Sequence, residues 1–369
     1  MNILIVNWQD RRNPFAGGAE VHLHEIFDRI AHWGHNVTLL ASGFSGAKKE
    51  EILDGIHIIR KGRRNDFNFF VPYAVKEIVK REHIDILVED LNKIPFFTPL
   101  FIKIPTVAIL HHRFGRDIFK ETIFPFALYV YITESLIPLV YRNIPFDVVS
   151  ESTKADLVKS GIPEENIFIH YNGIDLSRYK PGKGEKTPFQ ITFLGRIKRY
   201  KSIEHLLYAV ERLRKEFPLL RVMMIGDGDA LPDLKNIAAS LRIMSIINFT
   251  GFISEDEKIS ILQGSEIVVN TSSKEGWGLT VIESNACGIP VVAADSPGLR
   301  DSVKDGFNGL LYPYGDINAL TSSIKKLLKR RDLLQGMQNN AIKWSKNFDW
   351  ETSAKGILEL LEKRLSGEI

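Results

Sequence analysis

The sequence predicts an α/β chain made of two doubly wound halves, and three observations predict it. Short apolar runs recur, such as Ile3-Leu-Ile-Val6 and Ile267-Val-Val-Asn270, with the unbroken hydrophobicity of strands buried on both faces. Stretches of helical apolar spacing alternate with these runs, which implies parallel sheets covered by helices. Between two blocks of this alternation lies 179–188, a segment with two prolines, two glycines and no periodicity.

Composition sets the bounds. A chain of 369 residues is long for one domain and natural for two. Its 44% hydrophobic and 25% charged content is an ordinary globular balance. The net charge of +3 is too small to argue for nucleic acid. A lone cysteine, Cys287, rules out an internal disulfide and fits a reducing compartment. The start Met1-Asn-Ile-Leu-Ile-Val6 enters a strand at once, without the basic and apolar regions of a secretory signal. No apolar run approaches the ~20 residues that span a bilayer. These features predict a cytoplasmic protein.

The first half, expected over 1–178, opens with a strand at 3–6 and the polar loop 7–16. Gly17-Gly18-Ala19-Glu20 follows, then a helix with Val21, Leu23, Ile26, Phe27 and Ile30 on its apolar spacing, ending at Gly34. Glycines at a helix entrance allow a phosphate to approach the backbone, or supply no more than a tight turn. G-x-G-x-x-G is absent, so this is not the dinucleotide fingerprint. Strands are predicted at 36–40, 56–59, 84–88, 106–110, 146–149 and 166–169, and helices at 70–81, 118–142 and 153–160. His111 and His112 follow the strand at 106–110. A histidine at a strand's carboxyl end is placed for function, since ligands of open α/β sheets collect there. A satisfied loop histidine is the plain alternative.

The second half, expected over 189–346 after the linker 179–188, starts with a strand at 190–194. Gly195-Arg196-Ile-Lys-Arg-Tyr-Lys201 comes directly after it. Arg196 offers a planar fork and Lys201 a compact charge, a pair suited to a diphosphate, unless the run is a solvated loop. Helix 203–217 and strand 220–225 lead to Gly226-Asp-Gly-Asp229. That turn is read as a strand-end turn touching a ligand by its backbone, not as a metal site, because Asp and Gly dominate ordinary turns. No His/Cys/Asp cluster has zinc spacing, and no metal is expected. Helix 230–241, strand 246–249, helix 255–263 and strand 267–270 follow. Glu275 then stands before Gly276-Trp277-Gly278, and Glu283 lies in the first turn of a helix over 280–287. Thr280-Val-Ile-Glu283 also fits a capping box, which would give Glu283 a purely structural role. A pair of glycosidase carboxylates is a weaker reading, since it leaves Arg196 and Lys201 without work. Strands at 289–294 and 309–311, a helix at 317–330, a break at 344–350 and an amphipathic helix within 347–369 complete the chain.

Taken together, these motifs make the chain resemble a retaining glycosyltransferase of family four, with the GT-B fold. The resemblance runs over nearly the whole length. It rests on Gly17-Gly18-Ala19-Glu20, Ser150-Glu-Ser-Thr-Lys-Ala-Asp-Leu157, Tyr171-Asn-Gly-Ile-Asp175, Phe193-Leu-Gly-Arg196 with Lys201, Gly226-Asp-Gly228, and the E-x7-E pair Glu275/Glu283. Trp277 stands where the family often has Phe, and Tyr200-Lys201-Ser202 replaces a more usual Lys-Gly. The resemblance implies two Rossmann-like domains with parallel sheets facing across a cleft, and a C-terminal helix crossing back to the first domain. It implies that Arg196 and Lys201 hold a donor diphosphate, aided by the amides of Gly17 and Gly18. Glu275, with the backbone of Gly276, Trp277, Gly278 and Leu279, would take the donor sugar. Glu283 would take the ribose, Phe252 and Ile253 would border the base, Gly226 would line the site, and His111 would contact the sugar near the reacting carbon. The implied donor is a UDP-sugar, with a GDP-sugar as alternative. No cofactor or metal is implied, and configuration is retained through a front-face route. A GT-B epimerase and a non-catalytic nucleotide-sugar-binding protein remain as other classes.

The acceptor is not legible, although a sugar or lipid-linked hydroxyl fits the resemblance. Phe119, Ile123, Phe126, Ala127 and Val130 could form one apolar helical face. Such faces usually meet the core. Beside the basic run Lys61-Gly-Arg-Arg64, the same face could instead rest on the inner surface of a membrane.

Overall fold

The computed structural model describes residues 1–92 and 94–369, and the chain divides into two compact units. The first comprises Met1–Gly173 together with Trp350–Ile369, and the second Ile174–Asp349.

In the first unit the order is β1 (Asn2–Val6), α1 (Gly18–His32), β2 (Asn36–Gly43), β3 (Glu50–Leu53), β4 (Ile56–Arg63), α2 (Phe67–Glu82), β5 (Ile86–Asp90) and β6 (Thr106–Leu110). Three short helices follow, α3 (Ile118–Glu121), α4 (Phe124–Ser135) and α5 (Ile137–Val140), then β7 (Phe146–Val148), α6 (Glu151–Ser160) and β8 (Ile167–Ile169). The sheet runs β3-β4-β2-β1-β5-β6-β7-β8. All neighbours are parallel except β3, which pairs antiparallel with β4 at the edge. Burial on both faces explains the unbroken apolar runs: Ile3 to Val6 are each 0% exposed. One face packs on α2 through Phe67, Val71, Ala74, Val75 and Ile78, the spacing of a helical stripe.

The second unit runs β9 (Gln190–Leu194), α7 (Glu204–Leu213), β10 (Arg221–Ile225), α8 (Leu231–Ser240), β11 (Ile247–Gly251), α9 (Glu255–Gly264), β12 (Ile267–Asn270) and α10 (Leu279–Ala286). It finishes with β13 (Val291–Asp295), α11 (Leu299–Ser302), β14 (Gly309–Pro313), α12 (Ile317–Lys329) and α13 (Arg331–Ser345). Its sheet order is β11-β10-β9-β12-β13-β14, parallel throughout. The last helix, α14 (Trp350–Ser366), belongs to the first unit, where the Trp350 ring meets His22 edge-on at 6.1 Å.

Several expectations are corrected. The segment 179–188 is no free linker but part of the second unit. Tyr179 is buried, Lys186 Nζ donates to Ser265 O at 2.8 Å, and Thr187 N donates to Gly264 O at 2.8 Å. The single helix expected over 118–142 is broken, because Thr122 is extended and Pro125 and Pro138 each start a new helix. Nor is its apolar face a core face. In α4 only Ala127, Thr133 and Glu134 are buried, whereas Ile123 and Phe126 are 66% and 63% exposed. Helix α13, which 331–345 forms, has no counterpart among the sequence-based elements.

Candidate active site

The loops after β9, β10, β12 and β13 come together at the carboxyl ends of the second unit's strands, the edge where ligands of such sheets collect. Backbone meets backbone there. A Cβ on Gly226 would collide with Gly195 O, one on Gly228 with Ile197 O, and one on Gly298 with Glu275 O. Ile197 N donates to Asp227 O at 2.9 Å, and Ser273 N donates to Tyr200 O at 2.9 Å. These glycines let the Arg196–Lys201 loop lie flat between its neighbours. The Gly226 amide is engaged with Gly251 O at 3.1 Å, so this residue shapes the loop by lacking a side chain, not by offering its N–H to a ligand.

Lys201 sits at the end of a short 3-10 turn and is 8% exposed. Its ammonium pairs with Glu275, whose Oε1 also receives the Ser272 hydroxyl at 2.6 Å. Burial lowers the lysine's proton affinity, but the Glu275 carboxylate outweighs it and raises the ammonium above its ordinary range. Arg196, five residues earlier, is exposed. Glu275 is held by its own backbone as well, its N–H donating to Pro297 O at 3.0 Å. Two of the expected residues, one cation and one carboxylate, are thus in direct contact, and a second cation stands on the same loop.

Glu283 is placed differently from its sequence-based alternative. The N-cap of α10 is Gly278, in the left-handed region at φ 90, so Thr280 lies inside the helix and no capping box forms. Instead Glu283 Oε1 accepts from Tyr179 OH at 3.2 Å and from Lys258 Nζ at 3.1 Å. Lys258 also pairs with Glu255 at 2.8 Å, and Tyr179 OH contacts Glu255. Burial and these two carboxylates push the Tyr179 phenol far above its usual value, so it stays a donor. Trp277 is buried, edge-on to Phe348 at 5.0 Å, and packs in the interior of the unit. Phe252 is 92% exposed beside left-handed Gly251, and Ile253 is half-buried next to it.

In the first unit, Gly17 caps α1, and its N–H donates to Glu20 Oε2 at 2.7 Å. That amide is engaged within the helix start, and Gly18 begins the helix. His111 and His112 are separated by the structure. His112 stacks edge-on against Phe114 at 5.2 Å, while His111 Nε2 faces Asp90 Oδ2 at 3.5 Å and its ring meets that of His22. Sequence reading missed Tyr179, Lys258, Ser272 and Gly298 in the second unit and Asp90 in the first. The Ser272 signal was present, as a hydroxyl three residues before Glu275. The others depend on contacts between distant segments.

Two family models cover most of the chain: Glycosyltransferase Family 4 matches residues 16–178, and Glycosyl transferases group 1 matches 177–344. A D-inositol 3-phosphate glycosyltransferase of Rhodococcus jostii is 32% identical over 215 residues, 54% of this chain. The match covers 48% of that relative, so the chain spans about half the length of the curated relatives it first matches. An uncharacterised glycosyltransferase of Methanocaldococcus jannaschii is 25% identical across 95% of this chain and 96% of its own. Among solved structures, sucrose-phosphate synthase from Thermosynechococcus elongatus superposes with a TM-score of 0.85 at 18% identity, covering 99% of both chains. HepE of Anabaena in complex with UDP-glucose gives 0.80 at 20% identity, covering 98% of this chain and all of its own. At such identities these likenesses speak for the fold. With the two family models matching residues 16–178 and 177–344 and both sheets in place, the chain belongs to the family-four, group 1 glycosyltransferases and has the GT-B fold.

Proposed function

We propose that this chain transfers a hexose-type sugar from a nucleoside-diphosphate donor to an acceptor hydroxyl, with retention of configuration and without a metal, in the assembly of a glycan, glycolipid or cell-surface polysaccharide. The observation that carries the reading is the contact between Lys201 and Glu275 beside Arg196. Lys201 and Arg196 take the diphosphate, whose charge grows as the sugar–oxygen bond breaks, and stabilise it before water can reorganise. Glu275, released from Lys201, accepts from the sugar hydroxyls, with Gly276 to Leu279 alongside. Glu283 accepts from the ribose, and exposed Phe252 with Ile253 borders the base. His111 serves the sugar and Gly18 the phosphates. The acceptor oxygen bonds to the anomeric carbon on the face the diphosphate leaves, and its proton passes to a departing phosphate oxygen. UDP is favoured over GDP, which the HepE complex with UDP-glucose supports by likeness of fold.

A screen of UDP-glucose, UDP-galactose, UDP-N-acetylglucosamine and GDP-mannose for nucleoside-diphosphate release tests this, with product anomer read by NMR and EDTA added to one arm. No nucleoside-diphosphate release with any of the four donors, together with no UDP binding by calorimetry, removes the reading. Conversion of donor to an isomeric sugar without acceptor would make the protein an epimerase instead.

The same reading places the enzyme in the cytoplasm against an anionic membrane. No described helix is long and apolar enough to cross one. Yet Ile123, Phe124, Phe126, Ile132 and Leu139 are at least half exposed, and 123–133 carries no charge. Helix α2 adds exposed Phe69 and Tyr73 and is tied to α4 by Asn68 Nδ2 donating to Tyr129 OH at 3.2 Å. Gly62 of the basic run lies against Phe70, which brings Lys61, Arg63 and Arg64 to the patch. Apolar side chains beside cations suit the boundary of an anionic bilayer. Sedimentation with phosphatidylglycerol vesicles at low salt should carry the protein down, and Phe124→Asp with Ile132→Asp should leave it in solution. Equal behaviour of both proteins refutes the contact.

A further inference from the structure

Four neighbouring strands of the first unit end in titratable groups on one face. Asp90 closes β5, His111 follows β6, Asp147 lies in β7, and His170 follows β8. Register aligns Asp90 with Ile109, Ile109 with Asp147, and Asp147 with Phe168. Aligned residues point to the same face, as do residues two apart in a strand, so all four side chains share it. Helix α1 covers this face and adds His22.

The charges inside this cluster have few ways to balance. Asp90, Asp147 and His22 are 0% exposed. Among the described residues, neither Asp90 oxygen has a hydrogen-bond donor, and the cationic group facing it is His111 at 3.5 Å. Asp147 Oδ1 takes the His170 Nδ1–H at 2.6 Å, while its Oδ2 lies 3.9 Å from His22 Nε2. His22 Nδ1 lies 2.6 Å from Asn172 Oδ1. A carboxylate buried without donors costs several kcal/mol unless a cation faces it. Asp90 faces His111 and Asp147 faces His170, so each of these carboxylates has an imidazole placed to carry the balancing charge. The directions agree: burial drives His22 down to about 4, whereas for His111 and His170 the facing carboxylates outweigh burial and raise them.

We propose that Asp90 is a positioning residue of this enzyme: buried at the end of β5, it holds His111 as an imidazolium whose second N–H serves the donor sugar. This rests on the role given to His111 above. The Asp90 carboxylate faces Nε2 at 3.5 Å without a hydrogen bond, which leaves Nδ1–H as the donor on the other side of the ring. The other groups facing His111 are Glu20 and His22 from α1 and Asp147 from β7. Helix α6 offers Thr153 Oγ1 to the His111 carbonyl at 2.9 Å, and its Asp156 is held by Arg113 at 3.0 Å. Helix α14 presents Glu359 and Lys363 to His170, behind Asp147.

The experiment follows histidine protonation by ¹⁵N NMR in wild type, Asp90→Asn and Asp90→Glu, together with the pH profile of kcat on the donor found active in the screen. In Asp90→Asn, loss of the facing charge should lower the His111 midpoint by about 1–2 pH units. His170 should not move, and the alkaline limb of kcat should shift down by the same amount. Asp90→Glu, which keeps the charge, should restore both and also serves if the asparagine variant does not fold. An unmoved His111 midpoint overturns the proposal, as does a midpoint that falls while the kcat profile keeps its shape. If wild type turns over no nucleotide sugar, the functional reading fails, and the NMR arm alone still decides whether Asp90 charges His111.

Discussion

A buried ammonium must be matched by charge, and at Lys201 the match is the same carboxylate that the donor sugar is proposed to claim. Breaking that pair has measurable consequences. In Glu275→Gln, transfer should collapse while UDP binds about fivefold more tightly, because about 1 kcal/mol of internal pairing no longer competes with the phosphates. Calorimetry reads the affinity, and unchanged UDP binding would mean that Lys201 does not face the diphosphate. Arg196→Ala should lower kcat by roughly 10²–10³, the scale of one lost oxyanion donor, with a smaller effect on donor affinity. Unchanged turnover at saturating donor removes Arg196 from the mechanism. His22 gives a pH signature. Burial first, and the nearby His111 charge second, lower it from 6.5 to about 4. Between those values the unfolded chain binds a proton that the folded one refuses, so stability falls as pH drops, by at most about 3 kcal/mol. His111 and His170 act in the opposite sense. Their contribution is complete below the unfolded value and fades as pH rises through the raised folded value. Urea melts at pH 7 and pH 5 should therefore show His22→Gln losing less stability on acidification than wild type.

Elements are where sequence reading succeeded and where it stopped. Strands buried on both faces write themselves as apolar runs, so β1, β6, β9 and β12 lie where the runs predict, and the loops after them carry the motif residues. The pattern could not say which apolar helix faces are covered. Helix α4 has the composition of a core helix and is largely exposed, because Thr122 and two prolines divide the stretch and turn it outward. The Asp90, His111, Asp147 and His170 cluster was out of reach for another reason: it needs strand order and register, which no local spacing encodes. Gly298 shows the same limit. Its positive φ and its contact with Glu275 O exist only once β12 and β13 are side by side. Gly298→Ala should therefore displace the Glu275 loop and cost about 1–3 kcal/mol, read as an earlier urea transition with loss of transfer. An unaltered melt with full activity would show that the loop has room to yield. In the first unit, Glu89 is fully buried and accepts Tyr141 OH at 2.6 Å and the Phe96 amide at 2.7 Å. Tyr141→Phe should cost a similar about 1–3 kcal/mol by leaving this carboxylate short of a donor.

At the scale of the molecule, two sheets of the same grammar carry separate duties. The second holds a cation–carboxylate contact at its strand ends, and the first holds a neutralised cluster of carboxylates and imidazoles. Family membership was legible because the motifs sit on loops whose backbones admit no side chain, as at Gly226 and Gly228. Acceptor identity was not, because it depends on surfaces that composition does not place. The Lys201–Glu275 contact also bears on how such an enzyme works among abundant competitors. Orthophosphate or ATP would have to prise the lysine from its acid while giving the acid nothing back. A sugar nucleotide compensates both halves at once, phosphate for the ammonium and hydroxyls for the carboxylate. Under the proposed function the Lys201–Glu275 pair would answer only to a ligand that supplies both partners, and millimolar ATP should leave turnover of the donor almost untouched.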